Sequence, residues 1–196
     1  MAFFDFLRRK PAADTLLADL AAKLPELDNL TAANRHIESL TPQHPALVRR
    51  GNNVYQYRDC MVNVGLAPAL SAHAAGLQWV RDWGLSCAPE LIAFSRLRDP
   101  LHCVLITRIP GMTDQPPVPW DMRPIGMPGQ EDFARVMADA EMLFSKHMVN
   151  AAMLERHAWH VLPSGRIIIS DWSSLLDLPE KWEEKYRQQI KTFCDL

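Results

Sequence analysis

Two carboxylates and two imidazoles lie close together late in the chain: Glu155, His157, His160 and Asp171. Carboxylates hold hard divalent cations and move protons, whereas imidazoles favour softer ions such as Zn²⁺. Asp171 has the clearest setting. A polar turn, Pro163-Ser164-Gly165, runs into the β-branched run Ile167-Ile168-Ile169, and the acid follows as that run ends. Such a run forms a buried strand, so Asp171 is predicted at the rim of a sheet. His157-x-x-His160, with Glu155 and Asp171 nearby, is a candidate site for a divalent metal on an otherwise unrelated α+β fold. The same spacing arises when histidines pack into a tryptophan-rich core.

The elements that must position these groups belong to a chain of 196 residues, 48% apolar and 22% charged. That suffices for one domain, or for two small lobes sharing a cleft. A net charge of −2 gives no global field for nucleic acid or an anionic membrane. Cys60, Cys87, Cys103 and Cys194 are widely spaced with no Cys-x-x-Cys pair, which predicts buried, reduced thiols and a cytoplasmic protein. No transmembrane segment is expected, because no run approaches ~18 apolar residues. Residues 1–10 are apolar and then basic, the reverse of a secretory signal. This segment suits docking on its own domain, on a partner or on a membrane surface.

Residues 14–24 read as a helix capped by Asp14, with leucines at helical spacing before Pro25. Short β-rich runs at 46–48, 54–57 and 60–64, separated by Gly51-Asn52-Asn53 and Arg58-Asp59, predict a three-stranded meander. A helix over 67–83 follows, ended by Gly84 and burying Leu70, Ala74 and Leu77. Trp79 and Trp83 are expected to pack under the meander. Residues 91–94 and 103–106 form a strand pair, and the proline-rich stretch 109–129 is a crossing whose Trp120 is expected either to be exposed, anchoring a partner, or to plug the gap between the lobes. A helix over 131–147, the 166–170 strand and a polar helix over 179–193 complete the pattern, the last with Trp182, Tyr186 and Ile190 inward.

This order, together with Asp171-Trp172 at the strand end, resembles the protein-kinase/aminoglycoside-phosphotransferase superfamily over roughly residues 45–175. The resemblance implies an α+β, kinase-like two-lobed fold: an N-terminal helical extension (1–45), a small β-rich lobe (46–111), a Pro-rich crossing (112–130) and a truncated, mostly helical lobe (131–196). Gly51-Asn52-Asn53 resembles the turn that covers nucleotide phosphates. Gly84 to Pro89 resembles the turn opening the family's fourth strand. The 105–111 stretch, including Ile106 and Arg108, resembles the hinge strand whose backbone binds the adenine edge. Met153 to Leu162 lies over the catalytic loop, with Glu155 at the base aspartate and His160 at the metal-binding asparagine.

Several departures carry weight. Asn63 stands where the family's third-strand lysine reaches the phosphates, and His73 stands where its partner glutamate lies. No lysine occurs between Pro25 and Ser145. An amide brings no charge, and losing a positioned cation costs orders of magnitude in phosphoryl transfer. Imidazole is also a poor Mg²⁺ ligand. The resemblance therefore implies a pseudokinase that acts by binding a partner protein and needs no cofactor. The alternative is a divergent minimal kinase, protein- or small-molecule-directed, that uses ATP and Mg²⁺. In that case Asp171 and His160 hold metal, Glu155 orients the acceptor hydroxyl, and Gly51, Asn52, Asn53, Asn63, Ile106 and Arg108 bind nucleotide.

Overall fold

The computed structural model describes residues 15–122 and 132–193. The architecture is α+β, with antiparallel sheets throughout the described residues. Five strands form the main sheet: β1 (Leu47–Gly51), β2 (Val54–Tyr57), β3 (Cys60–Leu66), β4 (Glu90–Arg96) and β5 (His102–Arg108), in the order β1-β2-β3-β5-β4. The first three make the expected meander. Left-handed residues at both tight turns, Asn53 at φ 61 and Arg58 at φ 54, reverse the chain. The expected strand pair joins the same sheet, with β5 inserted between β3 and β4.

Alternation along β3 gives the sheet two different faces. Cys60, Val62 and Val64 are buried on one side; Met61, Asn63 and Gly65 lie on the other, half buried. Helices α1 (Thr15–Lys23) and α2 (Leu30–Leu40) cover the first face, where Leu20, Leu24 and Ile37 meet Tyr55, Val62 and Val64. Each large apolar side chain buried in this way contributes about 1.5–3 kcal/mol. Asp14, read as the cap of the first helix, lies outside the described residues. So do the 1–10 segment, the 123–129 part of the crossing and Cys194.

Helix α3 (Ala67–Trp83) joins β3 to β4 with the expected bounds. Pro68 occupies the first turn, where a missing N–H costs nothing, and Gly84 at φ 69 closes the last turn. Leu77 and Val80 of this helix enter a second core with Val136, Trp159, Ile169 and Trp172. That core is built by α4 (Phe133–Phe144), β6 (Val118–Pro119), β7 (Met148–Asn150), β8 (Trp159–Val161), β9 (Ile167–Ile169), β10 (Leu175–Asp177) and α5 (Glu180–Lys191). Strand β8 lies between β6 and β9, and β10 pairs with β7.

The tryptophans depart from expectation. Trp120 is 1% exposed, which goes against the solvated reading and agrees with the internal one: its ring meets Trp159 edge-on at 6.0 Å inside the second core. Trp79 does not pack under the meander. It is 46% exposed on the outer side of α3, and only Trp83 reaches the core. On α5, Ile190 is buried and Tyr186 packs inward, but Trp182 stays exposed and stacks on Tyr186. The three described cysteines are free and buried, as expected.

Ser86, in the turn between α3 and β4, is gripped from the second core at every polar atom. Its N–H donates to Asp139 Oδ2 at 2.7 Å, its hydroxyl accepts from Arg135 Nη1 at 3.2 Å, and its carbonyl accepts from Arg166 Nη2 at 3.0 Å. The neighbouring Cys87 N–H donates to the same Asp139 oxygen at 2.6 Å, and Cys87 O accepts from Ile169 N–H at 2.7 Å. Arg135 is held in turn by Asp132, whose Oδ2 accepts from Ile167 N–H at 2.6 Å. Burial pushes the Asp132 carboxyl up, but the Arg135 and Ile167 hydrogen bonds and the charges of Arg135 and Arg166 outweigh it, leaving the pKa below the ordinary value. These bonds to charged groups join the sheet to the second core at a fixed angle.

Candidate functional site

Strand β9 ends at Ile169 and places Asp171 two residues beyond the sheet, as the isoleucine run implied. The carboxylate is exposed; Oδ1 accepts from Ser173 N–H at 2.8 Å, and the Asp171 carbonyl accepts from Asn150 Nδ2 at 2.8 Å. Buried Asn150 lies on β7, so the β7–β10 pair fixes the backbone on which Asp171 stands.

His73 faces this site from α3. Its Nε2 is buried and has no hydrogen-bond partner among the described residues. Burial lowers the imidazole pKa, and the negative charge of Asp171 opposes that shift without reversing it. The imidazole is therefore neutral at physiological pH, within the field of the acid. Asn63, on the same side of the sheet, pairs across to Val54 and Leu105 and adds no charge.

The remaining predicted site residues do not converge on Asp171. Glu155 is exposed and pairs with His157 at 3.2 Å. His160 lies on β8 opposite Ile168, with Nδ1 donating to Ala158 O at 3.3 Å, and burial lowers its pKa. The expected cluster of Glu155, His157, His160 and Asp171 does not form. Among the described residues no three His, Cys, Asp or Glu side chains gather as a metal site. The physical reason is local: Arg156–Ala158 is a 3₁₀ turn that leaves His157 in solvent, while the strand pairing of β8 carries His160 elsewhere.

The Gly51-Asn52-Asn53 turn is tethered. Asn53 Oδ1 accepts from Asn34 Nδ2 at 2.7 Å, and Asn34 Oδ1 accepts from the Tyr55 hydroxyl at 2.9 Å. Arg49 Nη1 reaches Glu38 Oε1 at 2.8 Å. All these partners lie on α2, so the turn is bound to the helix on the opposite face of the sheet from Asn63. Burial, with Glu38 adding to it, pushes the Tyr55 phenol up to about 12, so it donates at any physiological pH.

The exit of β5 is occupied by the protein itself. Ile109 N–H donates to Asp59 O at 2.7 Å, Pro110 O accepts from Arg166 Nη1 at 3.3 Å, and Met112 N–H donates to Ile109 O at 2.9 Å. Buried Gln56 Nε2 donates to Thr113 O at 2.6 Å, and Arg50 Nη2 donates to Asp114 O. Met112 and Ile109 pack with Leu162, Ile168 and Met61 into a closed apolar cluster. Ile106 is fully buried between β3 and β4, and Arg108 points to Asp59 at 3.5 Å and Glu90 at 3.8 Å.

Sequence reading did not find Gln56, Asp139 or the 112–114 segment. A signal existed for two of them. Gln56 is a lone amide in Val54-Tyr55-Gln56-Tyr57, and Asp139 is a carboxylate beside the apolar positions Val136 and Ala140 on the predicted 131–147 helix.

No protein-family model matches this chain, and no curated protein matches it either.

Proposed function

We propose that this chain is a kinase-fold protein that has lost phosphoryl transfer and acts by binding a partner protein. The order of elements supports the fold reading: a meander, a helix, a strand pair, a crossing, a helix, and a strand ending in Asp171. So does the charge of Asp171 acting on His73, because the resemblance puts the helix glutamate and the metal-binding aspartate at those two positions.

The observation that carries the loss of activity is at the exit of β5. Reading an adenine edge there requires free backbone donors and acceptors. Ile109 N–H, Pro110 O, Met112 N–H, Thr113 O and Asp114 O are already bonded within the chain. A ligand competes with these bonds, of which the two from Arg166 and Arg50 are charged and worth about 1.5–3 kcal/mol each. The space beside them holds Met61, Met112 and Leu162. With Asn63 and neutral His73 supplying no cation, neither phosphate binding nor transition-state charge stabilisation has a positioned partner.

The test is thermal unfolding with and without ATP plus Mg²⁺ or Mn²⁺, for the wild type and Asp171→Ala. A ligand at 100 times its Kd stabilises the fold by ~2.7 kcal/mol, a shift of several degrees. The expected result is no shift in either protein. A metal-dependent shift that vanishes in Asp171→Ala overturns the reading and points to a minimal kinase.

A further inference from the structure

Residues 112–115 run past β1 and β2 as a strap that belongs to no helix or strand. Thr113, Asp114 and Gln115 are exposed, and only Met112 is buried. Gly111, at φ 88, turns the chain on one side, and Pro116-Pro117 follow on the other.

The groove under the strap is built by β2, β3 and the β8–β9 hairpin. Tyr55 and Tyr57 pack in the core beneath α1 and α2, so alternation along β2 turns Gln56 to the opposite face. There Gln56 lies across the ladder from Met61. Met61 borders a floor of Leu162 and Ile168, and Met112 packs into it from the strap. Gln56 is 1% exposed, and both ends of its amide are bonded. Its Oε1 accepts from Arg50 Nε at 2.7 Å, while Nε2 donates to Arg58 O at 2.9 Å and Thr113 O at 2.6 Å. Arg50 Nη2 donates to Asp114 O, the next carbonyl along the strap.

Two features make the groove suitable for another occupant. Both latches, Gln56 and Arg50, reach main-chain carbonyls, so they fit any extended backbone, while the floor selects the side chain. One buried side chain is the strap's apolar anchor, which sets it at the low-stability end of the fold, where segments open locally. Opening uncovers an amide, a guanidinium and an apolar socket in one line.

We propose that residues 112–115 are an autoinhibitory strap in a peptide groove, and that a partner protein enters by replacing them. Its occupying segment is extended, with one Met- or Leu-like side chain followed by two free carbonyls. The inference rests on the partner-binding reading above, and not on the loss of phosphoryl transfer.

The probe is the strap itself as a free peptide, Ile-Pro-Gly-Met-Thr-Asp-Gln, added to isotope-labelled full chain. Met112→Ser removes the anchor and keeps both latches. This variant is expected to bind the peptide with a Kd of about 1 mM or tighter, read from shifts of the Gln56 side-chain amide signals. In the wild type the tethered strap competes at millimolar effective concentration, so binding is expected to be about tenfold weaker. Adding Gln56→Leu to Met112→Ser is expected to abolish it, read from the Met61 methyl signal. A folded Met112→Ser variant that the peptide does not shift overturns the proposal. Equal affinity in the wild type and Met112→Ser overturns the autoinhibition, and undiminished binding after Gln56→Leu puts the peptide on another surface. Should Met112→Ser misfold, amide exchange of the wild type decides. Exchange of Met112 N–H by a urea-independent local opening supports the strap, and exchange only through global unfolding contradicts it. The two readings fail separately: ATP binding by the wild type overturns the loss of phosphoryl transfer and leaves the groove, whereas a silent peptide overturns the groove alone.

Discussion

Gly76 of α3 lies against the carbonyl of Trp172, so closely that a Cβ at position 76 would stand 1.8 Å from that oxygen. The residue after Asp171 is thus in backbone contact with the helix that carries His73. This contact ties the strand end that carries Asp171 to the helix that carries His73.

Gly76→Ala is expected to destabilise the fold by about 1–3 kcal/mol, because backbone cannot yield as a flexible side chain would. Alanine's better helix propensity, worth about 1 kcal/mol, opposes this and loses. Urea unfolding measures the balance. A variant as stable as the wild type would mean that α3 and the Trp172 strand end are not in contact.

Asp139→Ala strips the acceptor from two backbone donors, Ser86 N–H and Cys87 N–H. An unpaired buried donor costs about 1–3 kcal/mol, so a loss of about 2–4 kcal/mol is expected. Asp139→Asn keeps one acceptor oxygen and should lose less. Equal losses for the two variants would show that bulk rather than hydrogen bonding holds the joint.

His73 and His160 both have folded pKa values below the ordinary 6.5, in each case chiefly through burial. Between the folded value and 6.5 the unfolded chain binds protons that the folded chain refuses. Stability therefore rises with pH through that window, is fully present above it, and falls as pH drops below 6.5. The urea midpoint is expected to decline from pH 7.5 to 5.5, and to decline less in a His73→Gln/His160→Gln double variant. An identical slope in the double variant would place the acid sensitivity in other groups.

On the proposed pseudokinase reading, supplying the family's ion pair should not confer nucleotide binding. Asn63→Lys with His73→Glu returns the charges that the family uses, yet the backbone groups from Ile109 to Asp114 and the Met61–Met112–Leu162 cluster stay closed. Equilibrium dialysis with ATP and Mg²⁺ is expected to find no binding by the double variant. Binding would show that charge alone was lacking.

What was legible in the sequence was whatever rests on local chemistry. Pro68 and Gly84 bound α3, the Asn53 and Arg58 turns mark the meander, and three isoleucines lead to Asp171. Helix α2 lies in the expected helical extension but was not delimited, although Asn29 caps it through Ala32 N–H, because only Ala33 and Ile37 of its residues are buried and two positions make a faint period. Strands β7, β8 and β10 have three residues each, too few for alternation; β7 and β10 pair across the intervening residues 151–174, and β8 joins β6 as well as its neighbour β9. The closed exit of β5 depends on Gln56 reaching Thr113, a contact between distant parts of the chain that no local pattern announces. Trp79 was misread, and Trp120 left open between two readings, for a related reason: aromatic spacing says which face a ring shares, not what covers that face.

The central claim is that the chain's own bonds close the place where a nucleotide would be read. Isothermal titration calorimetry of the full chain with ATP and Mg²⁺ tests it most directly. The account expects no saturable heat, meaning a Kd weaker than about 1 mM. Saturable one-to-one binding that Asp171→Ala abolishes would contradict it.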